Sequence, residues 1–483
     1  MTDHAVIIAG AGPTGLMLGA ELRLGGADVL VIEKRSDALR VQPGALGLHA
    51  RTIELLDQRG IAGRFLAEGT PMQVVGFAGA RLDISDFPTR HNYGLSLIQK
   101  HSERLLGDWA EELGVPILRG VAIESLTQDG TGVSVQLSDG RELRAGFLVG
   151  CDGGRSLVRK AAGIGFPGSD ATLSHLLAEV DMAVEPPFGL RSDAIGTHAL
   201  SQTETGKVGV MVTEGAIGSG PVTLDHLRAA LVAHYGTDFG MSNPTYMTRF
   251  TDMTRQADQY RKGRVLLAGD AAHIHYPAGG FGMGIGLADA VNLGWKLALV
   301  ANGEAPGSLL DTYHAERHPA AARLLRYTMA SVALTRTDER SRAVAAIMGE
   351  LMALPDSARM VAGDMSGLSL RYDLGEGHPL LGRRMPDLEL RTDAGTRRVF
   401  DMLHDAKPLL LSFNPGGGVE PGPWAQRLKL VEARYSGAWT LPVIGAVPAP
   451  AAVLVRPDGH VAWVGDRQGE GLDAVLSRWF RAD

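Results

Sequence analysis

One six-residue run, Gly10-Ala11-Gly12-Pro13-Thr14-Gly15, constrains this chain more than any other feature. It follows a continuous apolar stretch, Ala5–Ala9, whose branched residues suit a short buried strand. It opens Leu16–Leu24, which reads as a helix, and Val29–Glu33 then reads as a second strand. Together these make a β-α-β unit. Glycines at 10, 12 and 15 let the turn fold tightly and let a pyrophosphate approach the backbone, where free N–H groups at the helix start face the anion. Glu33 lies 18 residues past Gly15, at the tip of the second strand, where a carboxylate accepts hydrogen bonds from a ribose. The unit predicts dinucleotide binding without separating FAD from NAD.

The 483 residues predict two to four domains at roughly 100–200 residues each. Arg51–Arg59 and Ser102–Leu113 read as helices, and Val133–Val135 and Leu143–Val149 as strands joined through Ser138-Asp139-Gly140. From Gly165 to about Tyr260 the texture changes. Short alternating stretches such as Leu176–Met182 and Lys207–Val212 predict an antiparallel sheet. Arg264–Ala268 returns to a buried-strand pattern, and Ile285–Val300 is apolar on nearly all sides, as a buried helix is. Leu309–Thr328 and the stretch after Asp338 read as helical. Gly375 to Pro386 is rich in Gly and Pro and marks a boundary. Beyond it come strands at Pro408–Phe413, Ala452–Val455 and His460–Val464, then a last helix, Gly471–Phe480.

A net charge of −7 argues against a nucleic-acid partner, which requires a basic face. Cys151 is the one cysteine, so neither an intrachain disulfide nor a Cys-only metal site can form. Cys151 itself reads as a small buried residue at a strand end rather than a reactive thiol. The N-terminus lacks the basic and apolar regions of a signal peptide, and no run of about 18 uncharged apolar residues predicts a membrane span. These readings predict a cytoplasmic protein with no membrane partner. His273-Ile274-His275 is the nearest approach to a metal-ligand pair and has no acidic cluster beside it, so no metal is expected.

Two further stretches carry chemistry. Cys151-Asp152-Gly153-Gly154-Arg155-Ser156 follows the strand Phe147–Gly150. In Gly263–His273 a strand ends at Gly269 and presents Asp270, where a ribityl or ribose hydroxyl could be met. Then Pro277-Ala278-Gly279-Gly280-Phe281-Gly282-Met283-Gly284 opens the long helix, and its backbone amides suit negative charge on a ring.

In order and spacing, these stretches resemble the class A flavoprotein monooxygenases of the para-hydroxybenzoate hydroxylase type. Asp289–Leu297 and Tyr313–Pro319 extend the match, which is strong over about residues 4–380. The subgroup most resembled is that of the aromatic polyketide hydroxylases and rifampicin monooxygenases. The resemblance implies an α/β fold: a Rossmann-like FAD-binding domain (1–168 and 263–374), an inserted antiparallel-sheet substrate domain (169–262) and a small thioredoxin-like C-terminal domain (375–483). It implies FAD as cofactor, NAD(P)H as co-substrate with NADPH favoured, and hydroxylation of a polycyclic aromatic phenol by O2 through a flavin C4a-hydroperoxide. The alternative is a rifamycin-inactivating monooxygenase, or a turnover-impaired flavoprotein that binds the drug. A monomer or a homodimer fits. Carried over by position, Thr14, Glu33 and Lys34 contact the AMP half of FAD, with Ile123 lining the adenine and Leu157 beside the AMP, while Gly10, Gly12 and Gly15 form the turn that the pyrophosphate approaches. Gln99 lies near the flavin and pyrophosphate. Asp152 serves FAD and NAD(P)H alike, Asp270 meets the ribityl–pyrophosphate region, and Pro277, Gly282, Met283 and Gly284 meet the isoalloxazine.

Two departures from the family pattern stand out. Gly44 replaces an arginine that steadies the pyrophosphate, leaving Arg40 or Arg51 to substitute or FAD to bind more weakly. Phe281 and Gly284 replace a Gln and an Asn, which removes side-chain contacts around the ring and leaves the backbone amides. No catalytic side chain is legible. His273 and His275 read as packed histidines, and Arg191 as a surface charge that could meet a substrate oxygen. None of the six tryptophans makes the Trp-x-Trp-x-Ile-Pro stretch of flavin halogenases, while a flavin reductase without oxygen insertion stays open.

Overall fold

The computed structural model describes residues 2–38, 44–277, 279–413, 419–465 and 469–480. The labelled elements, in chain order, begin with strand β1 (His4–Ala9), helix α1 (Pro13–Leu24), β2 (Val29–Glu33), α2 (Ala50–Asp57) and α3 (Gln99–Glu112). Strands β3 (Ile117–Arg119), β4 (Ile123–Gln128), β5 (Val133–Leu137) and β6 (Glu142–Gly150) follow, then a short helix α4 (Leu157–Ala161). The middle of the chain holds β7 (Ser174–Asp181), β8 (Gly189–Ser192), β9 (Thr197–Gln202), β10 (Val208–Thr213), α5 (Leu224–Tyr235) and β11 (Ser242–Thr251). Next come β12 (Val265–Leu267) and the helices α6 (Phe281–Ala301), α7 (Asp311–Leu334), α8 (Glu339–Met352) and α9 (Pro355–Ser366). The tail contributes β13 (Leu409–Ser412), β14 (Lys429–Glu432), β15 (Ala452–Val455), β16 (Val461–Gly465) and α10 (Leu472–Trp479).

Strands β12, β6, β1, β2 and β3 lie side by side and parallel in an eight-stranded sheet, with β5 and β4 added antiparallel at β6. Val6, Ile7, Ile8, Leu148, Val149 and Val265–Leu267 are buried, as a parallel sheet covered on both faces requires. Helices α1 and α6 cross on one face. They meet so closely that a Cβ on Gly25 would collide with Ala298, and one on Gly294 with Glu21.

Helix α6 is long and apolar enough to cross a membrane by length and composition, although Asp289 and Lys296 interrupt its apolar run. In the fold, 78% of its most apolar window is buried. It also starts at Phe281, four residues before the expected Ile285, because Gly279 and Gly280 at positive φ turn the chain into the helix.

The expected antiparallel sheet is five-stranded, ordered β8-β9-β10-β7-β11. Helix α5, not foreseen, covers one face: Leu227 and Leu231 pack on Leu176, Ala178, Val208, Val210 and Val212. Its ends carry readable signals, a Thr223 hydroxyl accepting from His226 N–H and Gly236 at φ +76°.

The tail forms a four-stranded sheet, β14-β13-β15-β16. Buried charges bolt it to the rest. Arg59 pairs with Glu21 (2.6 and 2.8 Å) and donates to the carbonyls of Leu403 and Pro457 (2.7 and 2.8 Å). Arg456 grips Glu316 through both oxygens (2.8 and 2.7 Å), and Lys296 joins at 2.9 Å. Burial works against the Glu316 charge, yet Arg456 and Lys296 pull its carboxyl down to about 2.

Candidate active site

The C-terminal ends of β1, β6 and β12 lie together, because the strands are neighbours in one parallel register. Each strand ends in one of the three chemistry-bearing stretches. A Cβ on Gly10 (φ +103°) would lie 2.5 Å from the Cys151 carbonyl oxygen, so only glycine fits between the first stretch and the second. Thr14 is wedged between Gly269 and Gly286: a Cβ on Gly269 would lie 2.6 Å from its hydroxyl, and Gly286 leaves it even less room. That contact seats the third stretch against the first. At Gly12, by contrast, an added Cβ would meet nothing within 4 Å. The turn is therefore open there, and no side chain caps the first turn of α1.

Glu33 closes the turn from the side. Its carboxylate accepts from Ala11 N–H (2.7 Å) and from Arg35 N–H (2.9 Å). Burial alone would raise its pKa; these two backbone donors and the Arg35 charge hold it below the ordinary carboxylate range. Asp152 caps α4, accepting from the N–H groups of Leu157 and Val158 (2.7 and 3.1 Å) with Oδ2. Its Oδ1 is buried with no partner among the described residues, an acceptor left for a ligand hydroxyl. Asp270 is exposed, and a Cβ on Gly282 would come 4.0 Å from its Oδ1. The first-turn amides of α6, at Phe281 to Met283, have no partner within the helix, and with Gly284 they lie at its positive end.

The turn carrying Asp270 is anchored from beneath. Asp289, fully buried on α6, accepts from Gly269 N–H (3.1 Å), His273 Nε2 (2.7 Å) and Arg317 Nε (2.8 Å). Burial opposes its charge, and Arg317 and His273 more than offset this, keeping the carboxylate ionised. Arg317 also donates to the Ile285 carbonyl (3.3 Å) near the helix start.

The uncovered face of the five-stranded sheet turns toward Tyr276, next to Pro277. His175 on β7 stacks on Phe250 (centroids 4.9 Å) and leans on Tyr276 (5.3 Å). Thr213 Oγ1 donates to the Thr197 carbonyl (2.8 Å), so it accepts from His175 Nδ1–H (3.1 Å). His175 Nε2 is therefore a bare acceptor, buried and unpartnered among the described residues. Burial brings its pKa down to about 4, so the ring is neutral near pH 7.

Comparison with known proteins decides the class. The FAD binding domain family matches residues 3–328, and the aromatic-ring hydroxylase C-terminal family matches residues 378–482. The chain belongs to the FAD-binding aromatic monooxygenases. It is 43% identical to 12-dehydrotetracycline 5-monooxygenase/anhydrotetracycline 6-monooxygenase of Streptomyces rimosus subsp. rimosus, over 99% of both chains. It is 43% identical to a rifampicin monooxygenase of Streptomyces venezuelae, covering 99% of this chain and 98% of that one. Among solved structures, OxyS anhydrotetracycline hydroxylase from Streptomyces rimosus superposes with a TM-score of 0.90 at 42% identity, with 99% of each chain covered.

Within this FAD-dependent monooxygenase, the residues singled out from sequence fall mostly in one place. Gly10, Gly12, Thr14, Gly15, Glu33, Asp152, Asp270, Gly282 and Met283 gather at the strand ends and the start of α6. Lys34 is exposed beside Glu33. Ile123 is half-buried, and Val121 just before it donates to the Glu33 carbonyl (3.2 Å). Leu157 opens α4 beside Asp152, and Pro277 accepts from Gly280 N–H (3.0 Å). Gly284 packs on Thr52, whose hydroxyl would lie 2.6 Å from a Cβ there. Gln99 binds Ala45 twice, at 3.0 Å and 2.8 Å.

Arg51, expected as one substitute for the missing arginine, is held by Glu54 and by the carbonyls of Gly367 and Leu368 (3.2 and 3.3 Å). Arg40 and Ala278 lie outside the described residues. Arg191 sits on the exposed strand β8, 5.4 Å above Tyr235. Cys151 has its thiol pushed well above the ordinary pKa by burial and by Asp152.

Sequence reasoning missed His49, which stacks on Phe281 (4.5 Å) and bonds the Gly279 carbonyl (2.6 Å), fixing the loop ahead of α6. It also missed Asp193, which lies 2.8 Å from His234 Nδ1 and 3.1 Å from His198 Nε2. Thr213 N–H donates to His198 Nδ1 (3.1 Å), so the Nε2 of that ring carries the proton. The trio locks the β8–β9 turn to α5.

Proposed function

We propose that this monooxygenase hydroxylates a polycyclic phenol of the aromatic polyketide type, with FAD seated along Gly10–Gly15, Asp152, Asp270 and the start of α6. The open side of Gly12 and the uncapped α1 start suit the pyrophosphate. Glu33, with two backbone donors already on it, retains acceptor capacity for a ribose. The orphan Asp152 Oδ1 supports a hydroxyl partner. When bound along these residues, FAD would supply the oxygen chemistry, with NADPH as reductant and O2 as oxidant, one oxygen atom ending on the ring and the other in water. Met283 and Gly284 amides, at the positive end of α6, favour negative charge on the flavin ring. His175 Nε2 accepts a hydroxyl of the substrate, which orients the ring between the sheet and the Tyr276–Pro277 loop. Residues 169–262 form the substrate domain, and 375–483 a thioredoxin-like domain whose mixed four-stranded sheet supports that reading.

The observation that carries the proposal is Thr14 held between Gly269 and Gly286, which brings Asp270 and the α6 amides over the dinucleotide turn. The test is NADPH oxidation and product formation with anhydrotetracycline, rifampicin and simpler polycyclic phenols. Hydroxylated product from a tetracyclic phenol supports the proposal; product from rifampicin alone moves the reading to antibiotic inactivation. Gly44 favours a further reading, a flavoprotein that binds its aromatic ligand but turns over poorly, recognised by H2O2 release without product.

A further inference from the structure

A cavity of about 620 Å³ runs along the first turns of α6 (Phe281 to Ala288) and is walled by α2, α7, α9 and the chain from Ser366 to Asp373. Six arginines line it, and they divide into two groups. Arg51, Arg317 and Arg323 have carboxylate partners in Glu54, Asp289 (2.8 Å) and Asp364 (2.6 Å). The other three have none among the described residues. Arg371 donates only to the carbonyls of Leu381 and Gly375 (3.0 Å each). Arg383 donates to the Ser369 carbonyl (3.0 Å), and its Nε is buried with no partner. The Arg326 side chain makes no hydrogen bond or ion pair among the described residues.

Of the lining acids, Glu316 is consumed by Arg456 and Lys296, and Asp364 by Arg323 and Tyr327. Only Asp373 remains to oppose three guanidinium groups, an excess of two positive charges. Burial, then Arg371 and Arg51, draw the Arg383 pKa down: the cations crowd one another. Carbonyl oxygens satisfy N–H groups but do not neutralise charge; Arg383 is half-buried, while Arg371 and Arg326 are exposed and open to a ligand from solvent.

We propose that this cavity binds an organic oxyanion, a phosphate or carboxylate held by the guanidinium groups of Arg371 and Arg383 with Arg326 at the rim. A planar guanidinium grips either group through two parallel hydrogen bonds. The volume falls within the roughly 300–1,000 Å³ of small-molecule sites and far exceeds a bare ion. Ile285, Leu324, Met360 and Met365 supply apolar wall for the body of the ligand. The cavity reaches Phe281 and Gly284 at the start of α6 and so adjoins the proposed flavin seat, but the oxyanion site is its arginine-lined end.

The experiment is calorimetric titration of the full-length, flavin-loaded protein with NADP+, 2-naphthoate and sodium pyrophosphate. At least one probe binds saturably at a single site, and Arg371→Gln/Arg383→Gln weakens it tenfold or more. Arg326→Gln weakens it two- to threefold. Tightest binding of NADP+ assigns the site to the phosphates of a dinucleotide, and of 2-naphthoate to an aromatic acid. Absence of saturable heat with all three probes overturns the proposal, as does binding that survives the double substitution. Should the double variant lose its cooperative melt, Arg383→Lys and Arg326→Gln decide: undiminished binding in both overturns it. The variant comparison works equally on protein that carries no flavin, so failure here is distinct from failure of the proposed function.

Discussion

Gly44 and Gln99 leave no space for a side chain between them. Gly44 has φ +71°, and a Cβ there would collide with the Gln99 side chain, which is fixed by Ala45 N–H at 3.0 Å. The glutamine and the glycine thus belong together, and an arginine at position 44 is excluded while Gln99 stays where it is.

Gly44→Arg therefore destabilises the protein by about 1–3 kcal/mol, combining the left-handed backbone cost with the clash. Gln99→Ala alone costs less, and the double variant recovers part of the Gly44→Arg loss. A urea-unfolding double-mutant cycle measures the coupling; strict additivity would show that the two positions do not interact.

Gly10→Ala and Gly12→Ala separate folding from ligand approach. The first drives a methyl to 2.5 Å from the Cys151 carbonyl at φ +103°, and it lowers stability by about 2–4 kcal/mol. The second meets no protein atom within 4 Å, so thermal stability of the flavin-free protein stays within about 0.5 kcal/mol of wild type, while FAD affinity falls tenfold or more. Melting curves and flavin titration of the two variants give the comparison.

Asp289→Ala strands Arg317 in the core without its carboxylate. The expected cost is about 3–5 kcal/mol, with flavin content falling in parallel because Gly269 N–H loses its anchor. Chemical denaturation with flavin fluorescence reads both.

Acid weakens the fold first through two histidines. Burial, the leading cause at each, holds His175 and His460 near pKa 4, below the ordinary value of about 6.5. The unfolded chain thus binds more protons between those values. Stability from these rings is complete above about pH 6.5 and declines as pH falls toward 4, by up to about 3 kcal/mol per histidine. Replacing His460 with Gln reduces the slope of melting temperature against pH in that window; an unchanged slope would show that His460 does not titrate there.

Much of this architecture is legible in the sequence because the decisive signals are local. Strand β2 (Val29–Glu33) and β15 (Ala452–Val455) coincide with their apolar runs, and the glycine turn announces itself through spacing. What escapes is long-range. Asp289 and Arg317 stand in recognisable stretches, yet nothing local says that one carboxylate holds Gly269, His273 and Arg317 together. Arg51 fits the missing pyrophosphate contact by sequence position, but Glu54 and the Gly367 carbonyl claim it across the fold. His49 is an ordinary loop histidine until Phe281 arrives beside it. Helix α5 was readable from Thr223 and Gly236, but the alternating strands around it dominated the pattern.

The most direct test of the account is the flavin content of the purified protein, measured by visible absorption and by extraction of the released cofactor. The seat formed by Gly12, Asp152, Asp270 and the α6 amides predicts a yellow protein carrying, or readily taking up, one FAD per chain, and losing it on Gly12→Ala. A colourless protein that takes up no FAD at micromolar concentrations would contradict the account.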